Sequence, residues 1–414
     1  MKRLLIIGAG FAGMHAALSA ARLRDLQGVR PDQLEIALIS PEPFLVIRPR
    51  LYEANPETMK APLSELFEVC EIRYLQGRVE TINTGSGSVV FAAPGGGRSV
   101  LPYDRLVLAA GSTGFRPNIP GLAEHGFGVD MIDEAIRLDR HLHALPDRPA
   151  SKMRNTVVVA GGGFTGIETA TEMPERLRTI LGNDVGIRVV IVERGDAIAK
   201  QIGDEPRPAI MKALDELGVE TRLGVGVNSV DESGVTLSNG ERIDSATVIW
   251  TAGMRPSPLT AQIAAPRDEL GRLLVDRDLR VQGVGNVFAT GDTARAVSDD
   301  RGNIATMSCQ FAKRLGAFAG HNAAADLLGV PTERYHQPVC VTCLDLGAAG
   351  AIFARGWTNE SRLKLNGKRA KSLKREINTV WIYPPRADRA EIFAASEPAL
   401  VLDLTAPAPQ EMAA

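Results

Sequence analysis

Two glycine-rich loops of the same design, one at the start of the chain and one in its middle, constrain the fold more than any other feature. The first follows an apolar run at residues 4–7 and continues as Gly8-Ala9-Gly10-Phe11-Ala12-Gly13. The second follows residues 157–160 and continues as Gly161-Gly162-Gly163-Phe164-Thr165-Gly166. Each pattern predicts a strand, a tight turn and a helix, with glycines for the turn, for the approach of a pyrophosphate and for helix packing. Two such loops predict two bound dinucleotides and hydride transfer between them.

The loops are parts of a longer repeat. Gly13 to Ser40 and Gly166 to Glu193 are both 27 positions apart, and each interval ends in a second apolar run. Residues 103–111 and 244–253 are also similar, and both end in Ala-Gly. We therefore predict an α/β fold with two Rossmann-like dinucleotide-binding domains and a smaller α+β C-terminal domain. The predicted boundaries are 1–117 with 271–335 for the first domain, 118–270 for the second and 336–414 for the third.

Composition narrows the function classes. The 414 residues have a formal net charge of −2 and are 44% hydrophobic, which is typical of a globular protein with no general attraction to nucleic acid. Four scattered cysteines favour a reducing, cytoplasmic setting. The basic N-terminus resembles a secretory signal, but cleavage there would destroy the first glycine loop. The six histidines form no convincing ligand set, so we predict no metal site.

Further elements are predicted around the two loops. Residues 44–66 form an irregular, proline-interrupted segment, and a hairpin is predicted with strands at 71–82 and 89–93. Helices are predicted at 133–145 and 309–328, and two strands within 338–354. Another predicted strand ends at Gly291-Asp292, where a carboxylate could accept hydrogen bonds from ligand hydroxyls, such as those of a flavin's ribityl chain.

A basic stretch at residues 364–375 distinguishes the C-terminal segment. It carries six lysine and arginine residues, and Glu376 is the acid that follows them. With Trp381 beyond it, the stretch has the pattern of a basic amphipathic helix that contacts an anionic membrane surface. A solvated helix face or an oligomer contact is the alternative. Residues 405–414 are predicted to be a disordered tail.

Together these motifs resemble the type II NADH dehydrogenases, which are flavoproteins with two dinucleotide-binding domains. The resemblance covers residues 1–357 and rests on both loops, residues 49–53, the Ala110-Gly111 turn, the turn at 289–292 and Cys309-Gln310-Phe311-Ala312. It implies FAD in the N-terminal loop and NADH in the middle one, with electrons passing to a quinone. It also implies a homodimer with its acceptor side at the C-terminal domain, and peripheral attachment to the cytoplasmic face of a membrane.

The resemblance assigns roles to individual positions. The residues implied to hold FAD are Gly8, Gly10, Phe11, Ala12, Gly13, Ser40, Pro41, Arg48, Val79, Ala110, Gly111, Gly291 and Asp292. Those implied to hold NADH are Gly161, Gly163, Phe164, Thr165, Gly166, Glu193, Arg194, Ala252 and Gly253. Glu193 would repel the 2′-phosphate of NADPH, although Arg194 leaves NADPH as an alternative. The implied catalytic residues are Glu168, near the nicotinamide and flavin, with Gln310 and Arg314 on the acceptor side.

The chain departs from the family pattern at the acceptor side. The family has two glutamines four residues apart where this chain has Gln310 and Arg314. Cys340 and Cys343 would point to opposite faces of a predicted strand, which disfavours a redox pair. Three functions therefore stay open: an NADH:quinone oxidoreductase, a soluble NADH-dependent reductase of a ferredoxin or rubredoxin type of carrier, and an NADH-responsive flavoprotein sensor.

Overall fold

The computed structural model describes residues 1–399 and contains two parallel five-stranded sheets. In the first sheet, the central strand Lys2–Ile7 is buried almost along its whole length and has a parallel neighbour on each side. The chain moves outward from it in both directions, so the carboxyl end of this strand is a topological switch point. Across the sheet, the strands are Val287–Ala289, Arg105–Leu108, Lys2–Ile7, Leu34–Ser40 and Arg73–Gln76.

The second sheet repeats the plan of the first. Its central strand, Thr156–Ala160, is fully buried and precedes the second glycine loop. Because the order of strands around the central one is the same, the predicted pair of Rossmann-like units is confirmed. Across the sheet, the strands are Gly126–Phe127, Thr247–Trp250, Thr156–Ala160, Arg188–Glu193 and Val219–Leu223.

Smaller antiparallel sheets surround these two units. Three of them have three strands: Arg78–Asn83 with Ser88–Ala92 and Arg98–Pro102; Val227–Asp231 with Gly234–Leu237 and Arg242–Asp244; and Val341–Asp345 with Ala351–Arg355 and Arg362–Asn366. Short strand pairs are Phe44–Val46 with Lys60–Pro62, Ser112–Gly114 with Met254–Pro256, and Leu273–Leu274 with Ala294–Arg295. The α-helices are Phe11–Leu26, Ser64–Val69, Leu122–His125, Ile132–His143, Phe164–Leu181, Arg207–Glu216, Cys309–Leu328, Gly367–Glu376 and Arg389–Ala395.

The predicted hairpin at 71–82 and 89–93 is wrong in its first strand. That segment divides at Gly77 into Arg73–Gln76, which joins the first parallel sheet, and Arg78–Asn83, which joins an antiparallel sheet. A Cβ at Gly77 would lie 2.7 Å from the carbonyl oxygen of Ala92, so the backbone turns where only glycine fits. The pattern of alternating residues does not show this change of sheet.

The basic stretch is also not one helix. Residues Arg362–Asn366 form a strand, the helix occupies Gly367–Glu376, and a π-helical turn follows at Ile377–Trp381. Lys374 is buried within it. The predicted disordered tail at 405–414 lies outside the described residues, and the domain boundaries stay predictions.

Helix Cys309–Leu328, which has the predicted bounds, brings the C-terminal half of the chain to the first loop. A Cβ at Gly316 would lie 2.2 Å from the carbonyl oxygen of Ala12, and one at Gly320 would lie 1.9 Å from that of Ala16. The two helices therefore touch backbone to backbone. This contact places the start of helix Cys309–Leu328 beside the first cradle.

Candidate functional site

The first glycine loop has the geometry of a pyrophosphate cradle. Gly8 has a φ of +106°, and a Cβ there would lie 2.4 Å from the carbonyl oxygen of Ala109. A Cβ at Gly13 would lie 1.9 Å from the Gly8 carbonyl oxygen, so turn and helix are in direct contact. At Gly10, by contrast, no atom from another part of residues 1–399 lies within 4 Å of the Cβ position. The open side of Gly10 is where a pyrophosphate would approach the backbone.

The helix that follows presents its N-terminus to this space. Helix Phe11–Leu26 begins with Gly10 as N-cap, without a side-chain cap and without an acidic residue in its first turn. Phe11 and Ala12 are buried beneath it. The unsatisfied N–H groups and the helix dipole favour an anion at this end. The residues present therefore fit a dinucleotide pyrophosphate.

Asp292 lies beside this cradle. A Cβ at Gly291 would lie 2.8 Å from the Ala12 Cβ, so the turn packs on the loop helix. The Asp292 Oδ2 accepts a hydrogen bond of 2.5 Å from the Ser112 hydroxyl and lies 3.9 Å from Arg48 Nη1. Arg48 is fixed by donating to the carbonyl oxygen of Asp130 at 3.0 Å. The carboxylate retains lone pairs for a ligand hydroxyl.

The other residues implied for FAD lie at or near the same edge of the first sheet. Ser40 and Pro41 end the second strand, and Ala110-Gly111 follows the strand Arg105–Leu108. Ser40 is buried, and its hydroxyl donates to the carbonyl oxygen of Glu42 at 2.7 Å. Val79 is buried in the adjoining antiparallel sheet. Parallel strands bring these carboxyl ends together, as the motif predicts.

The second loop repeats the cradle with different contacts. Gly161 has a φ of +126°, and a Cβ there would lie 2.7 Å from Thr251 Oγ1. A Cβ at Gly166 would lie 1.9 Å from the Gly161 carbonyl oxygen, whereas the nearest atom to one at Gly163 is 3.5 Å away. Phe164 and Thr165 begin helix Phe164–Leu181, which again has no side-chain cap and no acid in its first turn. The second cradle fits a dinucleotide as the first does.

Glu193 is fixed beside the second cradle by two backbone donors. Its Oε2 accepts from the N–H of Gly162 and its Oε1 from the N–H of Gly195, both at 2.6 Å. These bonds hold a carboxylate at the end of the second strand, where the adenosine ribose of a dinucleotide lies. Arg194 is exposed next to it.

The two Ala-Gly turns of the repeat connect the cradles. Ala252 and Gly253 are exposed, and the strand after them, Met254–Pro256, pairs antiparallel with Ser112–Gly114, which follows Ala110-Gly111. Phe115 N–H also donates to the Gly253 carbonyl oxygen at 2.9 Å. The equivalent segments of the two units thus hydrogen-bond to each other.

Glu168 is not a solvent-facing residue. It is 9% exposed, and its Oε1 accepts from Lys374 Nζ at 2.7 Å and from the backbone N–H of Asp345 at 3.0 Å. Lys374 also donates to the Cys343 carbonyl oxygen at 3.1 Å. Burial opposes the ammonium charge, but the Glu168 carboxylate raises the pKa of Lys374 above its usual range. A buried ion pair therefore joins the second loop helix to the C-terminal segment.

The residues predicted for the acceptor side lie at the start of helix Cys309–Leu328. Gln310 is bound to the backbone of Val341: its Nε2 donates to the carbonyl oxygen at 2.7 Å and its Oε1 accepts from the N–H at 3.2 Å. Arg314 is partly buried, with its guanidinium 5.7 Å from the Phe318 ring centroid. Burial raises the pKa of the Cys309 thiol, and the nearby Lys374 ammonium opposes this shift. The structure thus brings Glu168 and the start of this helix together.

The sequence of residues 2–313 matches the family described as pyridine nucleotide-disulphide oxidoreductase, which is well over half of the chain. The chain belongs to this family. An NADH dehydrogenase-like protein of Mycobacterium tuberculosis (strain ATCC 25618 / H37Rv) is 44% identical over 401 residues, or 96% of this chain and 98% of the relative. A type II NADH:quinone oxidoreductase of Staphylococcus epidermidis (strain ATCC 12228 / FDA PCI 1200) is 25% identical over 402 residues, or 92% and 95% of the two chains.

A solved structure shows the same fold. NDH2 from Plasmodium falciparum, in complex with NADH, superposes with a TM-score of 0.75 at 15% identity, covering 95% of this chain and 97% of that one. The fold class is therefore confirmed, and the family match with the 44% identical NADH dehydrogenase-like relative confirms the resemblance to NADH dehydrogenases. This pyridine nucleotide-disulphide oxidoreductase is an enzyme of the NADH dehydrogenase type.

Sequence reasoning missed Lys374 and Asp345 as parts of this oxidoreductase's site. In the sequence, Lys374 stands out only as one member of a basic stretch, because its partner Glu168 is 206 positions away in the chain. One signal was available: Lys374 has helical spacing with the apolar Ala370 and Ile377. A lysine on an apolar helix face indicates a buried partner.

Metal ligation, the state of the cysteines and helix length bear on the chemistry of this family member. In the part of the chain that the structure describes, no group of three or more His, Cys, Asp or Glu residues is arranged to hold a metal ion. All four cysteines lie in that part, and each is a free thiol. None of the helices in residues 1–399 is both long and apolar enough to cross a membrane.

Proposed function

We propose that this oxidoreductase is an FAD-dependent NADH:quinone oxidoreductase, with FAD in the first cradle and NADH in the second. The observation that carries the proposal is the pair of matched cradles. In each unit a short strand follows the Ala-Gly turn, and these two strands, Ser112–Gly114 and Met254–Pro256, pair with each other. Two dinucleotides bound this way serve hydride transfer from one to the other. The names of the relatives support NADH as donor and quinone as acceptor.

The donor site favours NADH over NADPH. Glu193 is held by two backbone N–H groups, so its carboxylate cannot easily turn away from a 2′-phosphate. The negative charges of the Glu193 carboxylate and a 2′-phosphate would repel each other, whereas a ribose hydroxyl would donate a hydrogen bond to the carboxylate. Arg194, exposed next to Glu193, is the residue that keeps NADPH as the alternative donor.

The residues of the chain supply binding and positioning. When bound, FAD supplies a carrier that accepts two electrons as hydride and passes them to a second acceptor. The loop helices hold the pyrophosphates, and Asp292 would accept from a ribityl hydroxyl. Glu168 and Lys374 keep two compensating charges in a buried site, with the proton of the pair on Lys374 Nζ. Close stacking of the reacting rings, not acid or base catalysis, governs the hydride step.

The acceptor side is proposed to lie at Gln310 and Arg314. Both ends of the Gln310 amide already bond to Val341, but its second N–H and second carbonyl lone pair remain free for another partner. Arg314 contributes a cation that favours the developing negative charge of a quinone oxygen during reduction. We propose that these two residues face the quinone head group.

Four exposed basic residues support attachment to an anionic membrane: Lys364, Lys368, Arg369 and Arg375. Val380, beyond the helix, is 62% exposed and could enter the interface. Binding to vesicles containing anionic lipid, but not to neutral vesicles, would test this proposal, and added salt should weaken the binding. The homodimer stays a prediction, which sedimentation of the purified protein would check.

The experiment that tests the function is an anaerobic stopped-flow measurement on the flavin-loaded protein. NADH should bleach the flavin within the turnover time, and a soluble quinone added next should restore its absorbance. NADPH should bleach it far more slowly.

Bleaching followed by indifference to quinone would refute the quinone assignment. Reoxidation by an acidic iron-sulfur carrier, with a rate that falls steeply with salt, would instead establish the carrier reductase. A reduced flavin that persists with every acceptor would establish a sensor. No bleaching by either nucleotide would overturn hydride transfer altogether.

A further inference from the structure

A cavity lined by Glu172, one helical turn from Glu168, opens beside the C-terminal helix. It has a volume of about 650 Å³ and lies between the loop around Tyr52 and the C-terminal helix Gly367–Glu376. Asp345, Lys371 and Asn378 also line it. None of these residues is among those implied to hold FAD or NADH.

Two buried polar atoms in this cavity lack a partner among residues 1–399. They are the Tyr52 hydroxyl and the Asn378 Oδ1, on side chains of residues that are 3% and 5% exposed. A buried polar group without a hydrogen bond is costly, and a polar cavity of this size readily holds ordered water. The cavity is therefore suited to a chain of water molecules that reaches inward from solvent.

Glu172 lines the cavity on the same helix as the buried Glu168. It is one helical turn after Glu168, so both side chains lie on the same face of helix Phe164–Leu181. Asp345 is near both glutamates: its backbone N–H donates to Glu168, and its carboxylate, which accepts from Lys371 Nζ, acts electrostatically on Glu172. The cavity and the ion pair are thus neighbours along one helix.

The charges around Glu172 leave one carboxyl without a cation. The titratable and charged groups that face it are Arg176 on its own helix, Arg50, Tyr52 and Glu53 on the loop, Asp345, and Lys371 and Arg375 on the C-terminal helix. Glu53 is paired with Arg50, and Arg176 with Asp139. Lys371 and Lys374 pair with Asp345 and Glu168, and no cation of residues 1–399 lies within ion-pair distance of Glu172. Burial, with the Asp345 charge, raises the pKa of Glu172 to about 7.

We propose that this cavity is the proton entry of the enzyme, and that Glu172 takes up a proton from its water and passes it toward Glu168. The inference rests on the proposed function. Reduction of a quinone to a quinol by NADH consumes one proton from solvent, because the hydride brings two electrons and one of the two hydrogens. Glu172 releases its proton toward Glu168 and the quinol oxygen, and is then reloaded from the cavity. It acts through Glu168 and does not touch the quinone.

The test compares Glu172→Gln with Glu57→Gln as a matched control. Glu57 lines the same cavity but is exposed at its rim. In Glu172→Gln, flavin bleaching by NADH should stay within twofold of wild type, because it takes no proton from solvent. Reoxidation by quinone should slow by about tenfold or more, and its rate should lose the titration near pH 7. Glu57→Gln should match wild type in both steps.

Two further measurements keep the outcome decisive. Infrared spectra of the wild type should show a protonated carboxyl at pH 6 that disappears by pH 8.5, and this band should be missing in Glu172→Gln. Glu172→Asp, which keeps a titrating group, should recover most of the reoxidation rate if Glu172→Gln loses it through proton supply. Equal reoxidation rates and pH profiles in Glu172→Gln and wild type would overturn the inference. If the wild type itself ignores quinone, the proposed function fails first.

Discussion

Removing the cation of the buried ion pair tests how the C-terminal segment is joined to the second dinucleotide unit. The Lys374 and Glu168 side chains are 7% and 11% exposed and meet at 2.7 Å. Lys374→Met retains the length and packing of the chain but leaves the Glu168 carboxylate with the Asp345 N–H as its remaining bonded partner. Breaking a buried pair from one side costs about 3–5 kcal/mol of folding free energy. We expect a loss in that range at pH 8.

The double variant Glu168→Gln, Lys374→Met separates charge from packing. Glutamine removes the uncompensated charge but can still accept from Asp345, so the double variant should lose about 1–3 kcal/mol less than Lys374→Met alone. Burial raises the pKa of Glu168, and without Lys374 nothing nearby offsets that shift as strongly. A carboxyl whose pKa is raised by folding destabilises the protein as pH increases, so the Lys374→Met deficit should shrink toward pH 5.

Urea denaturation at a fixed, saturating FAD concentration measures these differences, because bound flavin otherwise shifts the apparent stability. Lys374→Arg is a useful third variant, because it keeps the positive charge but changes the shape of the contact with Glu168. The reasoning would be refuted by a Lys374→Met protein within about 0.5 kcal/mol of wild type at pH 8. It would also be refuted if the double variant lost as much as the two single variants added together.

Other expectations follow from single contacts. Gly10→Ala should leave the thermal stability of the flavin-free protein nearly unchanged but weaken FAD retention. Gly13→Ala should destabilise the flavin-free protein too, because its Cβ would lie 1.9 Å from a carbonyl oxygen. Melting curves with and without FAD distinguish the two variants. Glu193→Ala should lower kcat/KM for NADH by about tenfold and raise it for NADPH, as steady-state kinetics would show. Glu172→Gln should gain up to about 3 kcal/mol in unfolding free energy above pH 7 and little at pH 4, because a shift of the carboxyl pKa from 4.5 to about 7 penalises folding across that range.

The parts of this fold that the sequence predicts are those that depend on residues close together in the chain. A strand, a glycine turn and a helix depend on positions within about 20 residues of each other, so both cradles and their glycine contacts were predictable. The carboxylate of Glu193 was predictable for the same reason, because it ends the strand that follows. Helix Cys309–Leu328 was predicted with its observed bounds from apolar periodicity alone.

The parts that were missed depend on contacts between distant segments. The change of sheet at Gly77 is imposed by the backbone of Ala92, in another strand. The inward direction of Lys374 is imposed by Glu168, and its helical spacing with Ala370 and Ile377, the one local signal, does not identify that partner. The pattern of charges alone predicts an exposed helix face, because lysine and arginine side chains are usually at the protein surface. Sequence spacing therefore located the two cradles better than it located the Glu168–Lys374 ion pair.

The C-terminal segment does not only pack on the second dinucleotide unit but also supplies charged groups to it. A Cβ at Gly347 would lie 2.1 Å from the Thr171 carbonyl oxygen, so this segment meets helix Phe164–Leu181 backbone to backbone, between Glu168 and Glu172. At this contact, Lys374 and Lys371 bring the cations for Glu168 and Asp345. Without them, three acidic groups would share a partly dry space, which favours the protonated form of a carboxyl. The ionisation of the site therefore depends on a segment outside both cradles, and changes in that segment should alter the pH dependence of turnover before they alter nucleotide affinity.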